Sequence, residues 1–270
     1  MKEDGAKNLS QIQFGREAKK YVDSSIHSSS GDLKFIAEFI GPKHNWKVLD
    51  IATGAGHLAL ALAPHVSKVI ASDITSEMLE EADKLCQQRG ITNFRTKKID
   101  VHTIPYQDEE FDLVTSRIAP HHFIDIEQAI SEMVRICKPR GFIFIEDTIA
   151  PHDNIAAEIF NRIELLRDPS HIRDLSFEEW IKLLEKNKCM IIKHETKQKD
   201  WELKWWTERM STPRANVEKI IEILNVNYEK YKDIIHIKRE PGFDQVNLDK
   251  KILAWSLHPY NGYFLAQKQG

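Results

Sequence analysis

The residues best suited to ligand binding in this chain lie in and around a short glycine-containing stretch, residues 48–59. An apolar run leads into this stretch, and Gly54 and Gly56 allow backbone angles that other residues avoid and let a ligand approach the main chain. N–H groups at the start of a following helix favour an anionic group such as a carboxylate. The stretch therefore predicts a ligand-binding loop between a strand and a helix. The residues assigned to this loop are Asp50, Ala52, Thr53, Gly54 and Gly56.

A second acidic residue, Asp73, follows Asp50 at the sequence spacing expected for a residue that binds a nucleoside. A carboxylate about 20 residues beyond such a loop commonly binds ribose hydroxyls. Residues 54–59 also fit the G-x-G-x-x-A dinucleotide fingerprint, so an NAD-dependent oxidoreductase remains an alternative. Asp50 argues against the oxidoreductase. A carboxylate beside the loop would crowd a pyrophosphate, whereas the same carboxylate could bind an ammonium group. The loop also follows about 45 residues instead of opening the domain.

The candidate catalytic residues are His121, His122 and Asp147, which follow two later apolar runs. Histidine titrates near neutrality and is a natural general base. The alternative is structural: the two histidines would close the pocket, and Asp147 would cap a helix or bond a loop. The sequence has no H-E-x-x-H pattern and no paired-cysteine spacing, so no metal site is predicted.

Short apolar runs alternate with helical patterns from residue 46 onward, which is typical of βαβ units in a parallel sheet. We predict strands at residues 48–51, 69–71, 94–99, 111–116, 142–146, 190–193 and 263–266. Helices are predicted at residues 32–40, 56–63, 76–89, 126–137, 153–166, 177–186 and 213–231, with Asp32 and Ser76 as N-caps. The expected fold is α/β: a Rossmann-like, doubly wound, mostly parallel seven-stranded sheet with an N-terminal helical lid and a C-terminal helical insertion. The predicted domains are a lid segment at 1–45, a core at 46–195, and a helical addition with the last strand or strands at 196–270.

The composition argues against a nucleic-acid-binding, a disulfide-stabilised or a membrane-spanning protein. A chain of 270 residues with a net charge of −3 lacks the basic excess of a nucleic-acid-binding protein. Its three isolated cysteines do not indicate a disulfide framework, and we expect neither a signal peptide nor a membrane-spanning helix. We expect a cytoplasmic monomer or homodimer.

From about residue 13 to residue 190, the chain resembles the class I S-adenosylmethionine-dependent methyltransferases of the ubiquinone/menaquinone C-methyltransferase type. Five motifs carry the resemblance in order, at residues 48–56, 69–79, 99–106, 111–117 and 135–141. Two residues depart from the family pattern, since Ile99 and Arg140 stand where glycines are usual. The resemblance implies S-adenosyl-L-methionine as cofactor and methyl transfer to a small-molecule acceptor. The alternative acceptors are tRNA and protein.

The resemblance also implies residue roles. Asp50 and the Gly54 and Gly56 backbone would face the methionine end of the cofactor, and Asp73 would hold its ribose. The residues implied at the adenine are Ile74, Met78, Asp100 and Val101. The residues implied near the methionine, after the fourth strand, are Arg117 and Ile118.

The acceptor site is predicted from two further segments. Phe14 and Tyr21 belong to the predicted lid, and Arg167, His171 and Arg173 lie in an unusual loop whose guanidinium groups suit an anionic acceptor. The alternative for that loop is a structural pair between Arg167 and Asp168. The cluster of Trp201, Trp205 and Trp206 is interpreted as packing in preference to an apolar acceptor pocket.

Overall fold

The computed structural model describes residues 9, 11–15, 30–241 and 247–270. The helices of at least six residues are α1 (Ser30–Ile40), α2 (His57–Leu62), α3 (Ser76–Gln88), α4 (Ile126–Ile136), α5 (Asn154–Arg167), α6 (Phe177–Lys186), α7 (Leu203–Arg209) and α8 (Arg214–Ile235). A short helix α9 spans Leu248–Lys251. The strands are β1 (Lys47–Ile51), β2 (Lys68–Asp73), β3 (Phe94–Lys98), β4 (Phe111–Arg117), β5 (Cys137–Ile149), β6 (Cys189–Gln198), β7 (Trp201–Glu202), β8 (Ile237–Arg239), β9 (Trp255–Leu257) and β10 (Tyr260–Lys268).

The main sheet has seven strands in the order β3-β2-β1-β4-β5-β10-β6, which confirms the predicted Rossmann-like architecture. The pairs β2–β3, β1–β2, β1–β4 and β4–β5 are all parallel. The central strands β1, β2 and β4 are almost entirely buried, as expected when helices cover both faces of a parallel sheet.

The strand order reverses direction at β1, which lies between β2 and β4. In open α/β sheets, ligands bind outside the carboxyl ends of the strands at such a switch point. The register places Asp50 of β1 opposite Thr115 of β4, and Ile51 opposite Ser72 of β2. The ends of these three strands therefore meet where the glycine loop begins.

Two predicted helix caps are wrong. Helix α1 begins at Ser30, so Asp32 lies within its first turn, where a carboxylate still complements the helix dipole. Helix α3 is preceded by Thr75, which has the extended backbone of an N-cap, and Ser76 is the first helical residue. The Thr75 N–H is held instead by the carboxylate of Asp73 at 2.8 Å. Asp73 thus holds the N-cap residue in place, and the Thr75 side chain forms no capping hydrogen bond.

By its internal contacts, the chain divides into two compact units. The first comprises residues 1–147, 181–195 and 263–270, and the second comprises residues 148–180 and 196–262. The core of the first unit packs α1, α2 and α3 against the sheet through residues such as Ile36, Leu60, Val69 and Phe94.

The second unit has a core of its own, between α5, α8 and a small sheet in the order β7-β9-β8. Trp206 is buried in this core and stacks on Trp201, which confirms the packing interpretation, while Trp205 is partly exposed. Helix α7 and the small sheet were not predicted. None of the helices in the described part of the chain combines the length and apolarity that a bilayer span requires.

Candidate active site

A cavity opens at the carboxyl ends of β1, β2 and β4 in the first unit. The space between its walls amounts to about 1100 Å³, a value that includes solvent at its mouth. The predicted site residues that line it are Phe14, Asp50, Ala52, Thr53, Gly54, Asp73, Ile74, Met78, Asp100, Val101, Arg117, Ile118 and His122. The structure thus brings together residues that are more than 100 positions apart in the chain.

Asp50 forms the floor of the cavity. Its Oδ1 accepts a hydrogen bond from the Thr115 hydroxyl and its Oδ2 one from the Thr53 hydroxyl, each at 2.5 Å. Burial raises the pKa of Asp50 to about 6, although both hydroxyls and the positive charge of Arg117 oppose the shift. A carboxylate in this state gains from a cationic partner, because a nearby positive charge favours its ionised form.

The turn after β1 depends on left-handed backbone angles. Ala52 has a φ of 51° and Gly54 a φ of 54°. A Cβ added at Gly54 would meet nothing within 4 Å, so its surroundings are open. Gly56 has a different role, because it does not line the cavity. A Cβ there would lie 2.9 Å from Cβ of Ala82, so Gly56 permits α2 and α3 to pack closely.

Asp73, at the end of β2, organises the same turn. Its Oδ2 accepts the backbone N–H of Gly54 at 3.0 Å, and its Oδ1 accepts that of Thr75 at 2.8 Å. Burial raises the pKa of Asp73, and these main-chain donors oppose the shift. The carboxylate therefore links the glycine loop to the start of α3.

A third carboxylate, Asp100, lies two residues beyond β3 and lines the cavity with Val101. Its Oδ1 accepts the main-chain N–H of His102 at 3.0 Å and lies 2.7 Å from Nδ1 of the same residue. Successive strand ends thus supply one acidic side chain each to the cavity.

Arg117, the last residue of β4, enters the cavity wall from a buried ion pair. Its Nε donates to Oε2 of Glu146 at 2.6 Å, and both side chains are buried. The next residue, Ile118, has a φ of 49°, a strained angle for a β-branched residue. Its N–H donates to the Glu146 carbonyl at 2.7 Å, which stabilises this conformation. Both Arg117 and Ile118 are thus held by Glu146, which restricts the conformation of this part of the cavity wall.

The loop after β4 carries the two candidate histidines in different settings. Nδ1 of His121 lies 2.6 Å from Oδ1 of Asp147, and the His121 N–H donates to Oδ2 of Asp147 at 2.9 Å. The His122 ring lines the cavity and meets Phe14 edge-on, with ring centroids 4.9 Å apart. The two imidazole centroids are 4.1 Å apart. His122 therefore lines the cavity, whereas His121 and Asp147 are not among the residues that line it.

Residues 11–15 are helical and belong to the first unit. Gln11 donates through Nε2 to the carbonyl of Ile74 at 3.0 Å, on the residue that follows Asp73. Together with the contact between Phe14 and His122, this bond puts residues 11–15 across the cavity. Within the predicted lid segment, residues 1–8, 10 and 16–29, which include Tyr21, lie outside the described residues.

Comparison with known proteins decides the family. The model of the methyltransferase domain matches residues 49–145. The uncharacterized methyltransferase YcgJ of Bacillus subtilis is 34% identical over 227 residues, which cover 83% of this chain and 88% of the relative. Its crystal structure superimposes with a TM-score of 0.79 at 30% identity, covering 88% of this chain and 98% of that one. The ubiquinone/menaquinone C-methyltransferase UbiE of Stutzerimonas stutzeri is 29% identical over 132 residues, covering 47% of this chain and 52% of the relative.

The chain belongs to the class I S-adenosylmethionine-dependent methyltransferases. Family membership decides between the two interpretations that the glycine loop left open, and it favours S-adenosylmethionine over NAD. The cofactor of this methyltransferase is therefore S-adenosylmethionine.

The predicted acceptor residues at and beyond the end of α5 form contacts within the second unit of the methyltransferase. Arg167 pairs with Glu164 at 3.1 Å and lies over the Trp206 ring at 4.7 Å. His171 is buried, with Nε2 2.9 Å from the Asn161 side-chain oxygen. Arg173 is more than half exposed and pairs with Glu179. These three side chains are not among those that line the cavity.

Sequence reasoning missed three residues that support the site. Thr115 bonds Asp50, His102 bonds Asp100, and Glu146 holds Arg117. Only His102 had a local signal, because it lies two residues after Asp100 and an aspartate side chain commonly bonds the main chain two residues on. The contacts of Thr115 and Glu146 depend on strand register, which no local pattern specifies.

Proposed function

We propose that this methyltransferase transfers the methyl group of S-adenosylmethionine to a small-molecule acceptor that meets His122. One observation carries the proposal: the same cavity is lined by the carboxylates of Asp50, Asp73 and Asp100 and by the rings of Phe14 and His122, which contact each other edge-on. The carboxylates suit the polar groups of the cofactor, and the rings suit an organic acceptor.

The residues present fit the cofactor. The buried Asp50 carboxylate, with its pKa raised to about 6, suits the ammonium group of the methionine moiety. Asp73 would accept hydrogen bonds from the ribose hydroxyls, and Asp100 would accept one from the adenine amino group. Ile74, Met78 and Val101 line the cavity beside these carboxylates and would contact the adenine. When bound, S-adenosylmethionine supplies a methyl group on a positively charged sulfur.

The protein contributes mainly positioning. In-line displacement at a methyl carbon requires the acceptor atom within about 3–3.5 Å and correctly aligned. Phe14 restricts the His122 ring, and Asp147 holds the neighbouring His121 through two contacts. We assign acceptor contact to His122, which would also receive a proton from an acceptor whose nucleophilic atom carries one. His121 and Asp147 would act through His122 by fixing the loop.

Several side chains retain a proposed role in anchoring the acceptor. They are Phe14, Tyr21, Arg167, His171 and Arg173. Arg173 suits an anionic group best, because its side chain is more than half exposed. Arg167 and His171 take part in their own unit's packing, which favours a supporting role for both.

A small molecule is favoured over RNA or protein on grounds of charge and access. Proteins that bind RNA neutralise phosphates with lysine and arginine, whereas this chain has a net charge of −3. The segment that contains Phe14 lies across the cavity and would restrict a bulky acceptor.

The test is incubation of the protein and methyl-labelled S-adenosylmethionine with a metabolite extract, total RNA and total protein in separate reactions. We expect label in a small-molecule product and none in the macromolecular fractions. Label confined to RNA or protein would contradict the proposal and would identify the alternative acceptor class. A Gly54→Val variant, whose side chain would enter the open turn, provides the inactive control.

A further inference from the structure

His102 connects two parts of the cavity wall that lie far apart in the sequence. Its Nδ1 is 2.7 Å from Oδ1 of Asp100, and its Nε2 receives the backbone N–H of Asp125 at 3.2 Å. Asp125 is the N-cap of α4. The His102 ring also meets Phe123 edge-on, with centroids 6.3 Å apart. One imidazole thus joins the turn after β3 to the loop that carries His122.

These contacts determine which ring nitrogen of His102 carries the proton. A backbone N–H can only donate, so Nε2 must be the unprotonated nitrogen of a neutral imidazole, and the proton is on Nδ1. Nδ1–H therefore donates to Asp100. Because the main-chain N–H of His102 donates to the same oxygen, two donors from one residue restrict the orientation of the carboxylate.

The position of Asp100 explains why such restriction matters. Its side chain is 28% exposed, so without partners it would sample several rotamers. A carboxylate held in place discriminates between a base that presents an amino group and one that presents an oxygen, because the wrong base leaves an acceptor facing an acceptor. His102 itself is only 15% exposed.

We propose that His102 is a positioning residue for recognition of the adenine base: Nδ1 orients Asp100 toward the 6-amino group, and Nε2 anchors the loop at Asp125. The inference rests on the proposed function, in which Asp100 accepts from that amino group. It assigns the two ring nitrogens separate tasks, which two substitutions can separate. Asparagine can place an amide donor near the position of Nδ1, and glutamine can place an amide oxygen near that of Nε2.

The experiment compares the wild type with His102→Asn, His102→Gln and Asp100→Asn. Calorimetry gives the affinity for S-adenosylhomocysteine and for S-inosylhomocysteine, in which an oxygen replaces the 6-amino group. Hydrogen–deuterium exchange of the peptide spanning residues 119–128 reports on the loop. Thermal denaturation verifies that each variant is folded.

We expect the wild type to prefer the adenosyl ligand by on the order of tenfold to a hundredfold. His102→Gln should lose most of this preference while the exchange of residues 119–128 stays slow. His102→Asn should keep the preference while the exchange of that peptide accelerates. If His102 contributed only to packing, His102→Gln and His102→Asn would each change both the ligand preference and the exchange rate of residues 119–128. That result would overturn the inference.

Asp100→Asn separates this inference from the proposed function. An amide at position 100 can donate to the 6-oxygen, so the preference should fall or reverse. If Asp100→Asn keeps the wild-type preference, the adenine contact assigned to Asp100 is wrong and the inference about His102 falls with it. If Asp100→Asn loses the preference but His102→Gln retains it, only the inference about His102 is wrong.

Discussion

Arg117 and Glu146 face each other across the β4–β5 ladder and form an ion pair inside the protein, with 2.6 Å between Nε and Oε2. Both side chains are buried, so water screens their charges only weakly. Tyr263 also bonds Glu146, and burial together with this carboxylate raises the pKa of the phenol. The guanidinium that lines the cavity is thus held from behind by groups that do not line it themselves.

Glu146→Gln should lower the free energy of unfolding by about 3–5 kcal/mol, because it leaves a buried guanidinium without its counter-charge. Urea denaturation measures the change. The matched control is Glu127→Gln, which removes an exposed partner of Lys186 and should cost less than about 1 kcal/mol. Equal effects of the two substitutions would contradict the importance assigned to the buried pair.

Asp50→Asn should stabilise the ligand-free protein while weakening cofactor binding. Burial raises the pKa of Asp50 to about 6 from 3.8, so ionising it at pH 7 costs the folded state roughly 1–3 kcal/mol. The amide removes that cost and also removes the charge that would face an ammonium group. Thermal denaturation at pH 7 and calorimetry with S-adenosylmethionine test both effects. A variant less stable than the wild type would contradict a net cost of burying the ionised carboxylate.

The same pKa predicts how the stability gain of Asp50→Asn depends on pH. A carboxyl whose folded pKa is raised retains its proton in the folded state after the unfolded chain has lost it, so its contribution to stability declines as pH rises from about 4 to about 6. The gain should therefore be close to zero at pH 4 and complete above pH 6. Asp249→Asn, at an exposed site, is the control and should change stability by less than about 0.5 kcal/mol at either pH. A gain that is the same at pH 4 and pH 7 would exclude Asp50 titration as its cause.

His122→Gln should lower kcat by on the order of a hundredfold if the acceptor loses a proton to the imidazole. Cofactor affinity should stay unchanged, since the substitution keeps a polar side chain beside Phe14. Asp147→Asn should have a smaller effect on kcat, because it acts through His121 and the loop. The rate of label transfer to the acceptor found in the labelling experiment measures both. Turnover equal to the wild type in His122→Gln would remove His122 from the mechanism.

The sequence was most informative where a local pattern determines the structure. Gly54, Asp50 and Asp73 were found because a strand, a turn that requires positive φ and an acidic strand end follow one another at characteristic spacing. It was less informative where the structure depends on distant residues. The contact between His102 and Asp125 and that between Arg117 and Glu146 join segments whose register only the folded chain establishes. Helix α7, in the tryptophan-containing stretch, was not predicted, because packing within the second unit determines this helix and a periodic pattern does not.

We propose that the cavity at the carboxyl ends of β1, β2 and β4 holds S-adenosylmethionine through the carboxylates of Asp50, Asp73 and Asp100. Calorimetric titration of S-adenosylhomocysteine into the wild type, Asp73→Asn and Arg173→Ala tests it most directly. We predict one site per chain in the wild type, affinity lower by on the order of tenfold or more in Asp73→Asn, and unchanged affinity in Arg173→Ala. Wild-type affinity in Asp73→Asn, or no binding in the wild type, would contradict the claim.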